Sequence, residues 1–210
     1  DADGFIFHRF DNWSTLSDLP EPTVSVRIND LNMGSVRDIT WNGTEVVVAS
    51  LRFQPISSLQ LTGIDLDTAS ILWNSDVPGG NPQGLGYISA SDTYWVYDKD
   101  DQTMYRWDAK NESVESSFAW GSGGNAARRL DTDSNGLLIV ANKEAGEVQR
   151  IDLQSGTVDD TLTRDARALA MWGNDLLIAG ENSSNTIEQV SSPFGTPSTN
   201  DILKLSSNLY

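Results

Sequence analysis

Residues 127–163, ARRLDTDSNGLLIVANKEAGEVQRIDLQSGTVDDTLT, contain four short segments that favour β-strands and are separated by turns. The second segment, LLIVAN, is an aliphatic run of strand length, which is typical of a strand buried on both faces. The preceding SNG is a tight-turn signal, and the third segment, VQRID, leads into a second turn at QSG. This stretch therefore predicts a four-stranded β unit.

The same order of strands and turns occurs in three other parts of the chain. These units begin at Val36, Gly84 and Ala166. The aspartates that end the third strands are Asp65, Asp108 and Asp152, and they lie 43 and 44 residues apart. A four-stranded unit with a period of about 40–45 residues is the sequence signature of a β-propeller. Dividing 210 residues by about 42 predicts an all-β propeller of about five four-stranded blades.

The chain is predicted to form a single propeller domain over residues 1–210. Residues 1–34 are a partial blade or extension, and the blades occupy residues 35–81, 82–125, 126–163 and 164–210. Propellers commonly complete one blade from both termini, which removes exposed strand edges. We therefore expect the N- and C-terminal strands to pair and close the ring. A four-bladed ring with an N-terminal extension and a piece of a larger propeller are the alternatives.

Residues Asp133–Asn142 and Val148–Gly156 resemble the repeats of YVTN- and NHL-type propellers. In those repeats a hairpin of the pattern D-x-x-G-x-φ-φ-V-A-N precedes the pattern V-x-x-I-D-x-x-T/S-G, where φ is an apolar residue. The resemblance extends over residues 36–190 and is strongest in the third unit. It implies the propeller fold, which hosts many functions, and no particular activity.

The charge of the chain limits its partners. Thirty acidic residues against 14 basic ones give a net charge of −16, and this surface repels phosphate backbones, so no nucleic-acid partner is expected. No apolar run approaches the roughly 20 residues of a membrane span, so no membrane insertion is expected. Two interpretations of the acidity stay open. One is an ordinary secreted or surface protein, and the other is adaptation to high salt, which screens the charges.

Asp131, Asp133 and Asn135 place oxygen ligands at alternate positions before Gly136, as calcium-binding loops do. The closing carboxylate is missing, because the twelfth position of the loop is Asn142. The competing interpretation is a hairpin turn that Asp and Asn side chains stabilise by hydrogen bonds to the backbone. These residues are the candidate metal site, and calcium is the one candidate cofactor.

Candidate ligand-binding residues occur in two other places. Asp98, Asp100 and Asp101 lie in the loop between the second and third strands of a blade, where they form either a ligand site or a solvated acidic loop. Trp13, in the polar stretch DNWSTLSD, is a candidate exposed aromatic residue for contact with a sugar. No catalytic residue is predicted. The single histidine, His8, and the absence of cysteine leave no zinc site or Ser-His-Asp triad to assign.

These features predict a non-enzymatic recognition or attachment module on an extracellular, cell-envelope or virion surface, with a glycan or a protein receptor as partner. One alternative is a propeller enzyme, either a glycoside hydrolase or a calcium-dependent lactonase-like hydrolase. The first-strand carboxylates available to a hydrolase are Asp38, Asp131 and Asp165, which do not share one repeat position. The other alternative is a purely structural component whose partners are the other subunits of an assembly.

Overall fold

The structure, a computed structural model, describes residues 5–9, 21–28, 35–52, 58–120, 127–133, 135–180, 186–194 and 198–204. Within these residues the regular secondary structure consists of β-strands, and no helix has the length and hydropathy to span a bilayer. The first two strands, β1 (Phe5–Arg9) and β2 (Val24–Ile28), pair antiparallel with each other. The other strands form four-stranded antiparallel sheets.

Each four-stranded sheet is a meander in which every strand pairs with the next one in the chain. The first sheet contains β3 (Ser35–Trp41), β4 (Val46–Arg52), β5 (Ser58–Asp65) and β6 (Ser70–Val77). The second contains β7 (Pro82–Ile88), β8 (Thr93–Asp98), β9 (Thr103–Asp108) and β10 (Ser113–Ala119). The third contains β11 (Ala127–Thr132), β12 (Leu138–Asn142), β13 (Glu147–Asp152) and β14 (Thr157–Leu162). The fourth contains β15 (Ala168–Trp172), β16 (Asp175–Ala179), β17 (Thr186–Ser191) and β18 (Ser198–Lys204).

The sheets pack against one another in chain order through their first strands. Strand β3 contacts β7, β7 contacts β11, and β11 contacts β15. The first strand of each sheet is therefore the innermost, and the sheets are arranged as the blades of a propeller. The prediction of an all-β propeller is confirmed.

The second strands of the first three blades are covered on both faces, as their apolar sequences predict, whereas β16 of the fourth blade is half-buried on one face. In β8 every residue is buried. Tyr94 and Val96 belong to the cluster shared with the first blade, whereas Trp95 and Tyr97 belong to the cluster shared with the third. Because side chains alternate between the faces of a strand, one strand joins three blades.

The repeated aspartates at the ends of the third strands cap the turns that follow them. The carboxylates of Asp65, Asp108 and Asp152 each accept hydrogen bonds from the backbone N–H groups two and three residues later. Hydrogen bonds to the charged form hold the pKa of all three carboxyl groups below the usual range. The repeat therefore preserves a turn at these positions and not a binding site.

The prediction of about five blades is wrong, because the described residues form four four-stranded blades. The count divided the chain length by the repeat period, and residues 1–34 were interpreted as a partial blade or extension. In the structure β18 is the fourth strand of the last sheet, where it pairs with β17, and β1 pairs with β2. The predicted closure through pairing of the terminal strands is not among the strand pairings of the described residues.

The β1–β2 hairpin covers part of the outward face of the first blade. Phe7 packs in one cluster with Val48, Ile64 and Leu66, which replaces a neighbouring blade on this face. Trp41, on the inner strand of the same blade, is 51% exposed. The hairpin is therefore a cap that shields the middle of the sheet better than its inner edge.

The second and third blades approach each other closely at Gly84. A Cβ atom at this position would lie 2.6 Å from Cγ of Leu130 on β11, which is shorter than a van der Waals contact. At Gly86, two residues along the same strand, an added Cβ would be 3.5 Å from its nearest neighbours, an ordinary contact. The interface between β7 and β11 thus requires glycine at position 84 and not at position 86.

We predict that Gly84→Ala lowers the free energy of unfolding by about 1–3 kcal/mol, because the added methyl group overpacks this interface. Gly86→Ala is the matched control, and we expect it to change the free energy of unfolding by less than about 1 kcal/mol. Urea denaturation of both variants measures the difference. Equal losses in the two variants would contradict the close approach at Gly84.

Candidate functional site

A cleft of about 590 Å³ lies between the first and second blades. We call it the aromatic cleft. Its polar and aromatic lining consists of Asn42, Thr44, Glu45 and Trp73 from the first blade and Tyr87, Asp92, Tyr94 and Lys110 from the second. The cleft therefore exists only where two blades meet.

Three aromatic rings form one side of the cleft. Tyr87 and Tyr94 are directly opposite each other on β7 and β8, and their ring centroids are 5.2 Å apart. The ring of Trp73 lies 6.1 Å from that of Tyr94 across the blade interface. Trp73 is placed by its partner on β5, because an added Cβ at Gly63 would come within 2.3 Å of the indole. The tilted rings leave Trp73 and Tyr87 half-buried, with part of each ring open to the cleft.

Glu45 supplies a fixed carboxylate beside these rings. It is only 8% exposed, and its Oε1 accepts hydrogen bonds from Trp73 Nε1 at 2.7 Å and from Asn42 Nδ2 at 2.9 Å. Asn42 is itself held in the β3–β4 turn, where its Oδ1 accepts the backbone N–H groups of Thr44 and Glu45. Among the described residues no donor reaches Oε2 of Glu45. This oxygen remains an acceptor for a ligand.

The tyrosine hydroxyl groups of the cleft stay protonated. Burial raises the pKa of Tyr94 to about 12, and the charges of Glu45 and Asp92 act in the same direction. Burial also raises the pKa of Tyr87, whose hydroxyl donates a hydrogen bond to Oδ1 of Asp92 at 3.0 Å. These hydroxyls can therefore exchange hydrogen bonds with a ligand but are not ionised bases at neutral pH.

Aromatic faces beside carboxylate and amide groups suit a ligand that has both apolar and hydroxylated surfaces. The rings cover the apolar surface, and Glu45 and Asp92 accept hydrogen bonds from hydroxyl groups. A sugar has this combination of surfaces.

The predicted metal-site residues lie in the hairpin between β11 and β12. Asp131 Oδ1 accepts the N–H of Thr132 at 2.8 Å, and its Oδ2 accepts the N–H of Met171 in the next blade at 2.6 Å. Burial raises the pKa of Asp131. Asp133 Oδ1 accepts the N–H groups of Asn135 and Leu137, which is the hydrogen bonding of a capped turn. In the parts of the chain that the structure describes, no three His, Cys, Asp or Glu side chains are grouped to hold a metal ion. The calcium hypothesis stays a prediction.

The predicted acidic loop is held to its own blade. Asp98 is fully buried, and its carboxylate accepts the N–H groups of Gly80 at 2.6 Å and Asp100 at 2.7 Å. Asp100 accepts a hydrogen bond from Asn81, and Asp101 accepts one from the hydroxyl of Tyr105. These contacts give Asp98 a structural role, and none of the three carboxylates lines the aromatic cleft. Trp13 lies outside the described residues.

The cleft residues were missed in the sequence because each belongs to a strand or turn that also has a structural explanation. Trp73, Tyr87 and Tyr94 are expected as blade-packing aromatics, and Asn42 and Glu45 flank an ordinary Asn-Gly turn. What distinguishes them is that residues of two different repeats lie together at the interface of two blades. A carboxylate next to a turn in one repeat and paired aromatics at the same level in the next is the pattern that would have indicated the cleft.

A buried carboxylate similar to Asp131 joins the first two blades. Asp38 on β3 is 8% exposed, and its Oδ2 accepts the N–H of Leu85 on β7 at 2.8 Å. Burial raises its pKa to about 7, although the Arg129 guanidinium, 3.5 Å from Oδ1, acts in the opposite direction. Asp38 and Asp131 therefore hold adjacent blades together. Their engagement in backbone hydrogen bonds weakens the case for either as a hydrolase carboxylate.

Comparison with known proteins supports the assignment of the fold and nothing more specific. No known protein family and no curated protein matches the sequence. Among solved structures, Kuenenia stuttgartiensis hydrazine synthase superposes with a TM-score of 0.54 at 11% identity, over 80% of this chain and 50% of that chain. The present chain thus corresponds to half the length of the hydrazine synthase chain.

Two other solved structures are similar to a comparable degree. Myxococcus xanthus glutaminyl cyclase gives a TM-score of 0.57 at 11% identity, over 79% of this chain and 69% of that chain. The β-propeller domain of Myceliophteria thermophila Cps50 (Swd1) gives 0.53 at 9% identity, over 82% and 72% of the respective chains. The chain has a β-propeller fold, and its resemblance to YVTN and NHL repeats stays a prediction.

The effect of calcium on stability distinguishes the two interpretations of the hairpin that contains Asp131 and Asp133, a capped turn or a calcium-binding loop. Because their oxygens already accept backbone hydrogen bonds, we predict the same melting temperature in millimolar calcium and in excess EDTA. Differential scanning calorimetry measures this. A melting temperature that rises with calcium, and that no longer rises in Asp133→Ala, would instead support the metal site.

The raised pKa of Asp38 makes its contribution to stability dependent on pH. Between its pKa in the unfolded chain, about 4, and its folded value of about 7, the folded state holds the proton more tightly. The free energy of unfolding therefore falls as pH rises through this range. We predict that the wild type loses stability relative to Asp38→Asn by up to about 1.4 kcal/mol per pH unit. Urea denaturation from pH 4 to pH 8 tests this, and parallel curves for the two proteins would contradict it.

Proposed function

We propose that this chain is a non-enzymatic recognition module that binds a glycan in the aromatic cleft. The setting we propose is an extracellular, cell-envelope or virion surface. A net charge of −16 keeps such a module soluble and away from phosphate polymers. We also propose that its blades belong to the YVTN- and NHL-type repeats, on the basis of Asp133–Asn142 and Val148–Gly156.

The observation that carries this proposal is the fixed carboxylate of Glu45 beside open aromatic rings. Two donors orient the carboxylate through Oε1 alone, so Oε2 can accept a hydroxyl group of the ligand without rearrangement. Such preorganisation lowers the entropic cost of binding. The neighbouring Trp73 and Tyr87 offer ring surface for the apolar face of a sugar.

The similar structures include two enzymes and one domain named only as a β-propeller, so the fold itself does not choose between recognition and catalysis. The chemistry of the cleft favours recognition. The tyrosine hydroxyls have raised pKa values, and Glu45 is held by its donors in the manner of a positioned acceptor. Neither feature activates a nucleophile.

Asp92→Asn is the variant that tests the cleft. Asp92 has a φ of 54°, a left-handed conformation that asparagine also adopts readily, so the substitution removes charge without straining the turn. We predict that affinity for the glycan identified on a glycan array falls about tenfold, because a hydrogen bond to a charged acceptor is lost. Titration calorimetry measures the affinity.

Asp101→Asn is the matched control. Asp101 also accepts a hydrogen bond from a tyrosine hydroxyl, that of Tyr105, but lies outside the cleft. We expect this variant to bind like the wild type. A loss confined to Asp101→Asn would place the ligand in the acidic loop instead. Absence of binding to any glycan, together with hydrolysis of one, would replace recognition by an enzymatic function.

A further inference from the structure

A second cavity, of about 460 Å³, lies among the inner strands of the four blades. Its polar wall is formed by Arg37, Gln83, Arg128, Arg129 and Arg167. We call it the arginine pocket. Four of the 14 basic residues of a chain with net charge −16 therefore meet in one place. Charges of one sign repel each other, so a cluster of four arginines is unfavourable unless other protein groups or a ligand compensate their charge.

The repeat itself brings these side chains together. The pairing of the first and second strands shifts register at a β-bulge between Val36 and Asp38, between Pro82 and Gly84, and between Ala127 and Arg129. The residues within these bulges are Arg37, Gln83 and Arg128. A bulge turns the side chain of its extra residue away from the regular faces of the sheet.

The fourth blade has an arginine at the same position. Ala168 pairs with Ala179 as Gly84 pairs with Tyr97, and the preceding residue is Arg167. The backbone N–H of Arg167 donates to the carbonyl of Ala179 at 2.7 Å. All four blades therefore direct one long polar side chain, three of them arginines, from equivalent positions of the innermost strands.

Internal contacts account for only part of this charge. Arg129 has a structural role, because its guanidinium lies 3.5 Å from Asp38 and donates to the carbonyl of Arg128 at 2.8 Å. In contrast, no carboxylate of the described residues forms an ion pair with Arg37 or Arg167. The Nε atom of Arg37 is buried and has no hydrogen-bond partner in the described part of the chain. A buried donor without a partner is unfavourable, and binding of an anion to this donor would satisfy it.

We propose that the arginine pocket binds a small oxyanion, namely a phosphate or sulfate group. Guanidinium groups match the geometry of such anions through paired N–H donors, and several of them converge here. The size of the cavity suits a small molecule. The acidic surface outside the pocket repels long polyanions, so a free anion or a small phosphorylated or sulfated compound is the occupant and a nucleic acid is not.

This site is independent of the aromatic cleft. Arg37 is the third residue of β3, whereas Asn42 directly follows the end of that strand. Asn42 is five residues after Arg37, a distance of about 16 Å along an extended strand, so the two sites lie towards opposite ends of the inner strands. The failure of glycan binding in the cleft would leave this proposal unaffected, and the reverse also holds.

The test is isothermal titration of the full chain with sodium phosphate and with sodium sulfate, each against sodium chloride at the same ionic strength. We expect saturable binding of at least one oxyanion, and the comparison of the two identifies which group the pocket prefers. Arg167→Gln is expected to weaken binding about tenfold, because one charge-assisted contact is lost. The double variant Arg37→Gln, Arg128→Gln is expected to abolish measurable binding.

Arg164→Gln is the matched control, since it makes the same change of charge three residues from Arg167. Arg164 lies outside the pocket and faces Glu188 at 3.7 Å. Unchanged affinity in this control, with weaker binding in Arg167→Gln, supports the proposal. Equal weakening in both variants, or no saturable binding beyond that of chloride, overturns it. Arg167 is exposed, so its variant decides the outcome even if the double variant does not fold.

Discussion

The fold depends on strands that are apolar on both faces. A sheet whose second strand is buried on each side, as β8 is, cannot be stable alone, because one apolar face would remain in water. A blade with such a second strand therefore requires a neighbour on both sides. The requirement is met between the blades by the shared clusters, and at the N-terminal end of the row by the β1–β2 hairpin packed against Val48 and Ile64. The hairpin thus covers the outward face of the first blade, as the first blade covers one face of the second.

The sequence predicted the elements that local chemistry determines. Strand alternation, tight turns and the aspartates at the ends of third strands recur within each repeat, so the hairpin of β11 and β12 and the four-stranded units could be recognised without a structure. The number of blades could not, because it depends on which partner each terminal strand chooses. Strand β18 completes the last blade, and a strand that pairs with its predecessor has the same sequence pattern as one that closes a ring.

Contacts between the blades were the other feature that could not be predicted from the sequence. The bonds from Leu85 to Asp38 and from Met171 to Asp131 connect residues of neighbouring repeats, and their geometry follows from how closely the inner strands pack. Asp131 therefore looked like the first ligand of a calcium loop, whereas its carboxylate bridges two blades. The aromatic cleft was hidden for the same reason. Its carboxylate and its tyrosines lie in different repeats, and only packing brings them together.

Both candidate sites include residues at the ends or bulges of the inner strands. Turn residues such as Asn42 and Asp92 lie beyond the ends of the buried strands, and the bulged residues Arg37 and Arg128 point away from the regular faces of the sheets. Because these side chains are not needed to cover a neighbouring blade, they can differ between repeats without loss of the core. The turns of the first two blades make an acidic, aromatic cleft, and the bulges make a basic pocket at the other end. A repeat that is nearly uniform in its core can therefore carry two sites of opposite charge on one set of inner strands.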